Sequence, residues 1–231
     1  MISTNIDKLR DRIAAASRRS GRRPEDVTIV AVAKTFPAER VDEAVRAGVV
    51  DIGENYVQEL LGKRAALAAR DIRWHFVGHL QSNKVRQIAE WIHLVHALDS
   101  ASLAWELDGR AARAGKTIEA LVEVNTTGEQ TKFGLPPGRV AGFIRSLEPL
   151  AHLRIGGLMT IGPFLPDPEG SRPMFRVLRL LREEIAGTPQ ANVDLHHLSM
   201  GMTGDFEVAI EEGATLVRIG TAIFGSRKKP G

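Results

Sequence analysis

The sequence predicts an α/β fold: a single-domain (β/α)8 (TIM) barrel over residues 1–231, with an extra helix at its N-terminus. Three observations predict it. Short β-branched apolar runs alternate with amphipathic helical stretches, eight strands in all, and no break in composition interrupts them. The first of these runs, from Val27 to Ala33, is apolar almost throughout, as in parallel strands covered on both faces. Gly48, Gly115, Gly187 and Gly213 fall just past expected helices, where a left-handed C-cap calls for glycine. An open doubly wound sheet is the alternative. Its early dinucleotide turn should be glycine-rich, and Lys34-Thr35-Phe36-Pro37 is not.

The elements follow in order. From about Asn5 to Arg19 a helix places Ile6, Leu9, Ile13 and Ala16 on one face, and Ser20-Gly21 stops it. Strand 27–34 is closed by Thr35-Phe36-Pro37. Then come helix 38–47, strand 49–54, helix 55–69, strand 73–78, helix 80–91, strand 94–98 and helix 101–114. The remainder reads as strand 118–125, helix 138–149, strand 153–160, helix 173–186, strand 194–199, helix 204–212 and strand 215–220. The proline-rich stretch 163–173 reads as a connection over the barrel top.

A hydrophobic fraction of 43% and a charged fraction of 26% are those of an ordinary globular chain. No apolar run is long enough to span a bilayer, so no membrane is expected. The net charge of +3 is scattered, apart from Arg227-Lys228-Lys229, and leaves no nucleic-acid footprint. Zero cysteines exclude disulfides and thiolate metal sites. With no apolar leader at the start, the expected compartment is the cytoplasm, and the expected state a monomer.

Barrel chemistry sits at the C-terminal ends of the strands. Lys34 ends the first strand and shares a face with Val32, Val30 and Thr28. An amine at the lip of an apolar interior is partly desolvated, which favours the neutral nucleophile and suits Schiff-base chemistry. The plainer alternative is a lysine that marks the strand end and reaches to water. After the seventh strand comes Ser199-Met200-Gly201-Met202-Thr203, and after the eighth Arg218-Ile219-Gly220-Thr221. Small residues there let backbone N–H groups approach an anion, and the Ser199 and Thr221 hydroxyls can donate, so the two loops suit a phosphate cup. Helix capping and tight turns would explain them equally well. Arg218 shares a face with Leu216 and Gly220 and needs an acceptor: an aromatic ring nitrogen, or Glu54 or Glu123. Lysine, phosphate cup and arginine together suggest pyridoxal 5′-phosphate with an unprotonated ring nitrogen, a weak electron sink suited to carriage or limited carbanion chemistry.

The chain resembles a known family in several blocks. These are Ala33-Lys34-Thr35, Gly53-Glu54-Asn55-Tyr56-Val57-Gln58-Glu59, and Trp74-His75-Phe76-Val77-Gly78-His79-Leu80-Gln81-Ser82-Asn83-Lys84. Val124-Asn125 with Lys132 and Gly134, Gly157-Leu158-Met159-Thr160, Leu198-Ser199-Met200-Gly201-Met202 and Val217-Arg218-Ile219-Gly220-Thr221 through Phe224-Gly225 complete them. They resemble the pyridoxal phosphate homeostasis proteins, similar in fold to the N-terminal barrel of bacterial alanine racemase. The resemblance implies that Lys34 holds the cofactor as a Schiff base and that Arg218 faces the ring nitrogen. It places the phosphate on Ser199, Gly201, Gly220 and Thr221, with Asn55 and Met159 lining the ring. It implies intracellular carriage of the cofactor rather than turnover, with cofactor-dependent apo-enzymes as partners. Thr203-Gly204 before Asp205 departs from the more polar turn expected in the family.

Other candidates are weaker. His75 and His79 in one strand would stand about 13 Å apart; adjacent His196 and His197 should face opposite sides; His93 and His96 would need a helical turn. No metal site is therefore expected, and no catalytic residue is assigned. Tyr56, the single tyrosine, lies beside Asn55 and is not cast as a second acid/base. An amino-acid racemase or related enzyme using the same lysine is the main alternative function, and a Schiff-base phosphosugar aldolase a further one. Lys132 and the basic tail would suit a second cofactor molecule, or are simply solvated charge.

Overall fold

The apolar runs become eight parallel strands that close on themselves in chain order, β1 pairing with both β2 and β8. The computed structural model describes residues 1–129, 132–163, 165–187 and 190–226. The strands are β1 (Thr28–Val32), β2 (Asp51–Glu54), β3 (Arg73–Phe76), β4 (Leu94–Leu98), β5 (Ile118–Glu123), β6 (Leu153–Met159), β7 (Val193–Ser199) and β8 (Leu216–Ile219). The helices are α1 (Ile2–Arg19), α2 (Ala38–Arg46), α3 (Val57–Ala66), α4 (Ala101–Arg113), α5 (Pro137–Ser146), α6 (Arg172–Ala186), α7 (Phe206–Glu211) and α8 (Thr221–Phe224).

Closure divides the apolar side chains into two cores. Ile52, Leu98, Leu198, Phe175 and Phe206 belong to the layer between barrel and helices. Val30, Val77, Leu94, Leu121, Met159 and Leu216 fill the barrel itself. Each fully buried side chain of this size contributes about 1.5–3 kcal/mol. The interior also holds polar groups, among them His75, His96, Ser199 and Arg218, and these carry the site.

The extra helix α1 buries Ile2 as well as the expected Ile6, Leu9, Ile13 and Ala16. It packs on α2, α7 and α8, with Asn5 donating to the Ile223 carbonyl and Arg22 to those of Ile210 and Ala214.

Two local departures from the expected pattern have physical causes. In place of helix 80–91 the chain forms a 3₁₀ stretch, Ser82–Gln87. Ser82 and Asn83 compete for the backbone in its first turn, and the short return to β4 favours i→i+3 bonds such as Lys84 N–H to Gln81. On β7, Ile155 pairs with Val193 but Gly157 with His197, so two steps on β6 oppose four on β7. This bulge reorients the side chains that follow.

Candidate functional site

Lys34 lies in the turn that leaves β1, and both of its neighbours are held. The Ala33 carbonyl accepts from Lys63 Nζ at 2.7 Å. The Thr35 N–H donates to Glu59 Oε2 at 2.7 Å. Thr35 has φ +69°, the left-handed region that a β-branched residue rarely enters, so a bond to its N–H helps to fix the turn. Lys63, on α3, also bonds Glu54 at the end of β2 and Glu59 one helical turn away. Burial raises the Glu54 carboxyl to about 7 against the opposing pull of Lys63. One buried ammonium therefore ties together the end of β1, β2 and α3 at the residue before Lys34.

Above this turn a cavity opens at the C-terminal mouth of the barrel. Val32, Phe36, Val77 and Ile161 form its apolar walls. Lys34, Asn55, Arg218, Thr203, Gly220 and Thr221 are among its polar lining. The Asn55 Oδ1 is buried without a hydrogen-bond partner among the described residues. Asn55 can take this place because Gly78 beside it has no side chain: a Cβ there would lie 2.5 Å from the Asn55 carbonyl oxygen. At the other end Asp205 accepts from the Met202 N–H at 2.7 Å and fixes the loop after β7. The N–H groups of Thr203 and Gly204 are not used by any hydrogen bond among the described residues. An apolar slot with an unpaired amide oxygen on one side and small-residue N–H groups on the other fits a flat ring bearing a phosphate.

Arg218 closes the floor. It is buried, and Nη1 donates to Ser199 Oγ at 2.6 Å while Nη2 donates to the Thr160 carbonyl at 2.8 Å. Burial pushes its guanidinium down to about 10, with Glu123 and Asp205 opposing, so it stays protonated at neutral pH. Neither Glu54 nor Glu123 is its hydrogen-bond partner. From Ser199 a chain of bonds runs down the barrel interior. Ser199 Oγ meets His96 Nδ1 at 2.9 Å, His96 Nε2 meets His75 Nδ1 at 2.9 Å, and His75 Nε2 meets Asp51 Oδ1 at 3.0 Å. Burial alone would raise the Asp51 carboxyl, but hydrogen bonds from His75 and Arg73 outweigh it and hold it at about 2. Burial holds His96 well below the usual histidine range and therefore neutral. With His96 neutral and Arg218 donating to Ser199, the bonds run one way: Ser199 donates to His96, His96 to His75 and His75 to the Asp51 carboxylate.

Of the residues expected in the site, the structure brings Lys34, Asn55, Arg218, Gly220 and Thr221 to one cavity. Met159, Ser199 and Gly201 are not among the side chains that line it. Met159 is part of the barrel core, and the Ser199 hydroxyl is taken by Arg218 and His96. Gly201 packs the turn onto α7, where a Cβ would meet Ala209 at 2.5 Å. Thr203 and Gly204 line the cavity together with Gly220 and Thr221. Lys132 is paired with Glu129 at 2.7 Å, and the basic tail lies outside the described residues. The histidine spacings need one correction. Alternation should separate His196 from His197, yet the β7 bulge brings their rings to 4.0 Å. Sequence reasoning missed Lys63 and His96. Glu59 and Lys63 at i, i+4 gave a signal for the first; for the second there was none, because its partners come from other strands.

The alanine racemase N-terminal domain model matches residues 4–228. A pyridoxal phosphate homeostasis protein of Aquifex aeolicus is 44% identical over 223 residues, covering 96% of this chain and 97% of that protein. Its human counterpart is 40% identical over 227 residues, covering 90% and 82%. Among solved structures, PipY of Synechococcus elongatus with PLP bound superposes with a TM-score of 0.84 at 33% identity, covering 97% of this chain and all of that one. Closed barrel, strand-end lysine and sequence likeness over nearly the full length agree, and the chain belongs to the pyridoxal phosphate homeostasis protein family, built on an alanine racemase N-terminal domain.

Proposed function

We propose that this chain binds pyridoxal 5′-phosphate in the cavity at the barrel mouth, held as a Schiff base on Lys34, and carries the cofactor rather than turning over a substrate with it. The observation that carries the reading is the convergence of Lys34, the unpaired Asn55 Oδ1 and buried Arg218 on one apolar slot. The PipY relative was solved with PLP bound, which supports the same ligand here. In this reading Arg218 faces the ring nitrogen, Asn55 the ring edge, and Thr203, Gly204, Gly220 and Thr221 the phosphate. Ser199 and Gly201 act indirectly, by orienting Arg218 and shaping the loop. When bound, the cofactor would supply a weak electron sink, because an arginine cannot protonate the ring nitrogen as a carboxylic acid could.

Carriage is favoured over turnover by the lining. Among its described residues the ionisable side chains are Lys34, Asp205 and Arg218, and Asp205 is committed to the loop N–H. A two-base racemase needs a second group opposite the lysine, and Tyr56 is exposed at the start of α3. The reading extends to a cytoplasmic monomer serving apo-enzymes.

Visible absorbance before and after borohydride reduction, followed by peptide mapping, tests the site. A yellow band fixed onto Lys34 by reduction and lost in Lys34→Ala is the expected result. A colourless chain that cannot be reconstituted would overturn it. Incubation with L-alanine separates the two functions, since appearance of the D-enantiomer would make the chain an enzyme.

A further inference from the structure

Outside the lining of the cavity, Glu119 of β5 meets His196 and His197 of β7. Gly156 of β6 lies between them and makes the approach possible: a Cβ there would be 1.9 Å from Glu119 Oε1. The donor atoms of the three side chains all lie within 4.8 Å of one another. Glu119 Oε1 is 3.3 Å from His196 Nε2 and 3.9 Å from His197 Nε2, yet it is buried without a hydrogen-bond partner among the described residues.

The outer nitrogens of both rings are already engaged. His196 Nδ1 is 2.8 Å from the Asp194 carbonyl oxygen, which can only accept, so this nitrogen carries the proton. In the neutral ring Nε2 is then a bare lone pair facing a carboxylate oxygen. His197 Nδ1 pairs with Thr215 Oγ1 at 3.3 Å, which likewise turns its Nε2 toward Glu119. Two bare acceptors, Glu119 Oε1 and His196 Nε2, converge with His197 Nε2 where no hydrogen bond joins them. The nearby cation Arg154 is occupied by Asp194 and does not fill the gap.

The geometry points to a binding site for a borderline divalent transition-metal ion, zinc in class, held by Glu119 Oε1, His196 Nε2 and His197 Nε2. A tetrahedral ion with bonds of about 2.0–2.2 Å needs donors about 3.3–3.6 Å apart, close to the observed spacings. Two imidazoles and a carboxylate favour zinc or cobalt over magnesium or calcium. The Nδ1 bonds to Asp194 and Thr215 are the outer contacts that orient such ligands. His196 is 41% exposed, so an ion and a water as fourth ligand can reach the site from solvent. The ion would clamp β5 to β7 across β6, where the β7 bulge interrupts the ladder. None of the three ligands lines the cavity proposed for the cofactor.

The test uses the full chain without a histidine tag, stripped with a chelator. Cobalt(II) is titrated in and followed by difference absorbance, and zinc binding by calorimetry. One equivalent should give the intense visible band of a four-coordinate ion, and zinc should displace it. His196→Ala, a half-exposed substitution that should leave the fold intact, should abolish the band and weaken zinc at least tenfold. Glu119→Gln should do the same. His93→Ala, in the neighbouring group formed by Asp51, His75 and His93, should change neither. Zinc should raise the melting temperature of the parent chain and not that of His196→Ala. No band in the parent chain, or a band kept in His196→Ala, would overturn the site and leave an ordinary histidine–carboxylate ion pair.

Discussion

Lys63 Nζ donates at 2.7 Å to the carbonyl oxygen of Ala33, the residue immediately before Lys34. The same ammonium bonds Glu54 and Glu59, and Glu59 in turn holds the Thr35 N–H. Lys63→Met should therefore do more than remove a salt bridge. It leaves Glu54 buried and unpaired and frees the turn on both sides of Lys34. Breaking a buried pair costs about 3–5 kcal/mol. The low end is expected, because Glu54 at about 7 takes up a proton readily. Chemical denaturation measures the loss, and adding Glu54→Gln should recover part of it. A loss below about 1 kcal/mol would show that the network is decorative.

Arg218→Glu replaces the cation on the cavity floor with a carboxylate near Glu123. With cofactor bound, the visible band should move towards that of a protonated pyridine, and Ser199 should lose the donor that holds its hydroxyl. An unaltered spectrum in a folded variant would remove Arg218 from the ring nitrogen.

The hydrogen-bond chain beneath Arg218 makes a prediction of its own. Nitrogen-15 spectra of the histidine rings should show His96 protonated at Nε2 and bare at Nδ1, and His75 likewise. Ser199→Ala breaks the link to Arg218 and leaves the buried His96 Nδ1 unpaired, at a cost of about 1–3 kcal/mol. A His96 ring protonated at Nδ1 would reverse the assigned direction.

The strand-end lysine was legible because barrel sites gather where strands finish, and the apolar run of β1 leads to Lys34, which follows Val32 in the turn. Arg218 was legible for the same reason. For Ser199 the sequence shows that a hydroxyl lies at a strand end and not which neighbours bond it, here Arg218 and His96. The His196–His197 pair was misread because alternation fails at a bulge, and a bulge is a property of two strands in register rather than of one run. Helix 80–91 was overestimated because its apolar spacing is helical, while its polar first turn and the distance to β4 are not helical constraints.

Glu123 makes the pH dependence informative. Burial and the nearby Asp99 raise its carboxyl to about 7, with Arg218 opposing, from an ordinary 4.5. Its folded pKa lies above its unfolded one, so the protonated form is favoured in the fold. Its contribution to stability is complete below pH 4.5 and is lost as pH rises towards 7. His197, held at about 4 from 6.5, has the opposite sign: its contribution is present above 6.5 and is lost as pH falls through 4. The parent profile mixes the two, but the difference between parent and Glu123→Gln isolates the first. The variant should gain on the parent between pH 4.5 and 7 and hold a constant margin above that. A pH-independent difference would mean that Glu123 stays ionised in the fold.

Gly78→Ala tests the support of Asn55 without touching any polar group. The added Cβ would stand 2.5 Å from the Asn55 carbonyl oxygen and 2.8 Å from its Cα, and both are backbone atoms that cannot swing aside. The end of β2 has to shift, which should cost about 1–3 kcal/mol. Lys34 lies in a different segment, the turn after β1, so its reaction with the cofactor should persist. Retention should nevertheless fall, because the Asn55 Oδ1 no longer meets the ligand at the place where it is left unpaired. Equilibrium dialysis of the borohydride-free protein reads retention, and reductive trapping reads the lysine. If both fall together, the strain has spread to β1; if neither falls, Asn55 does not contact the cofactor.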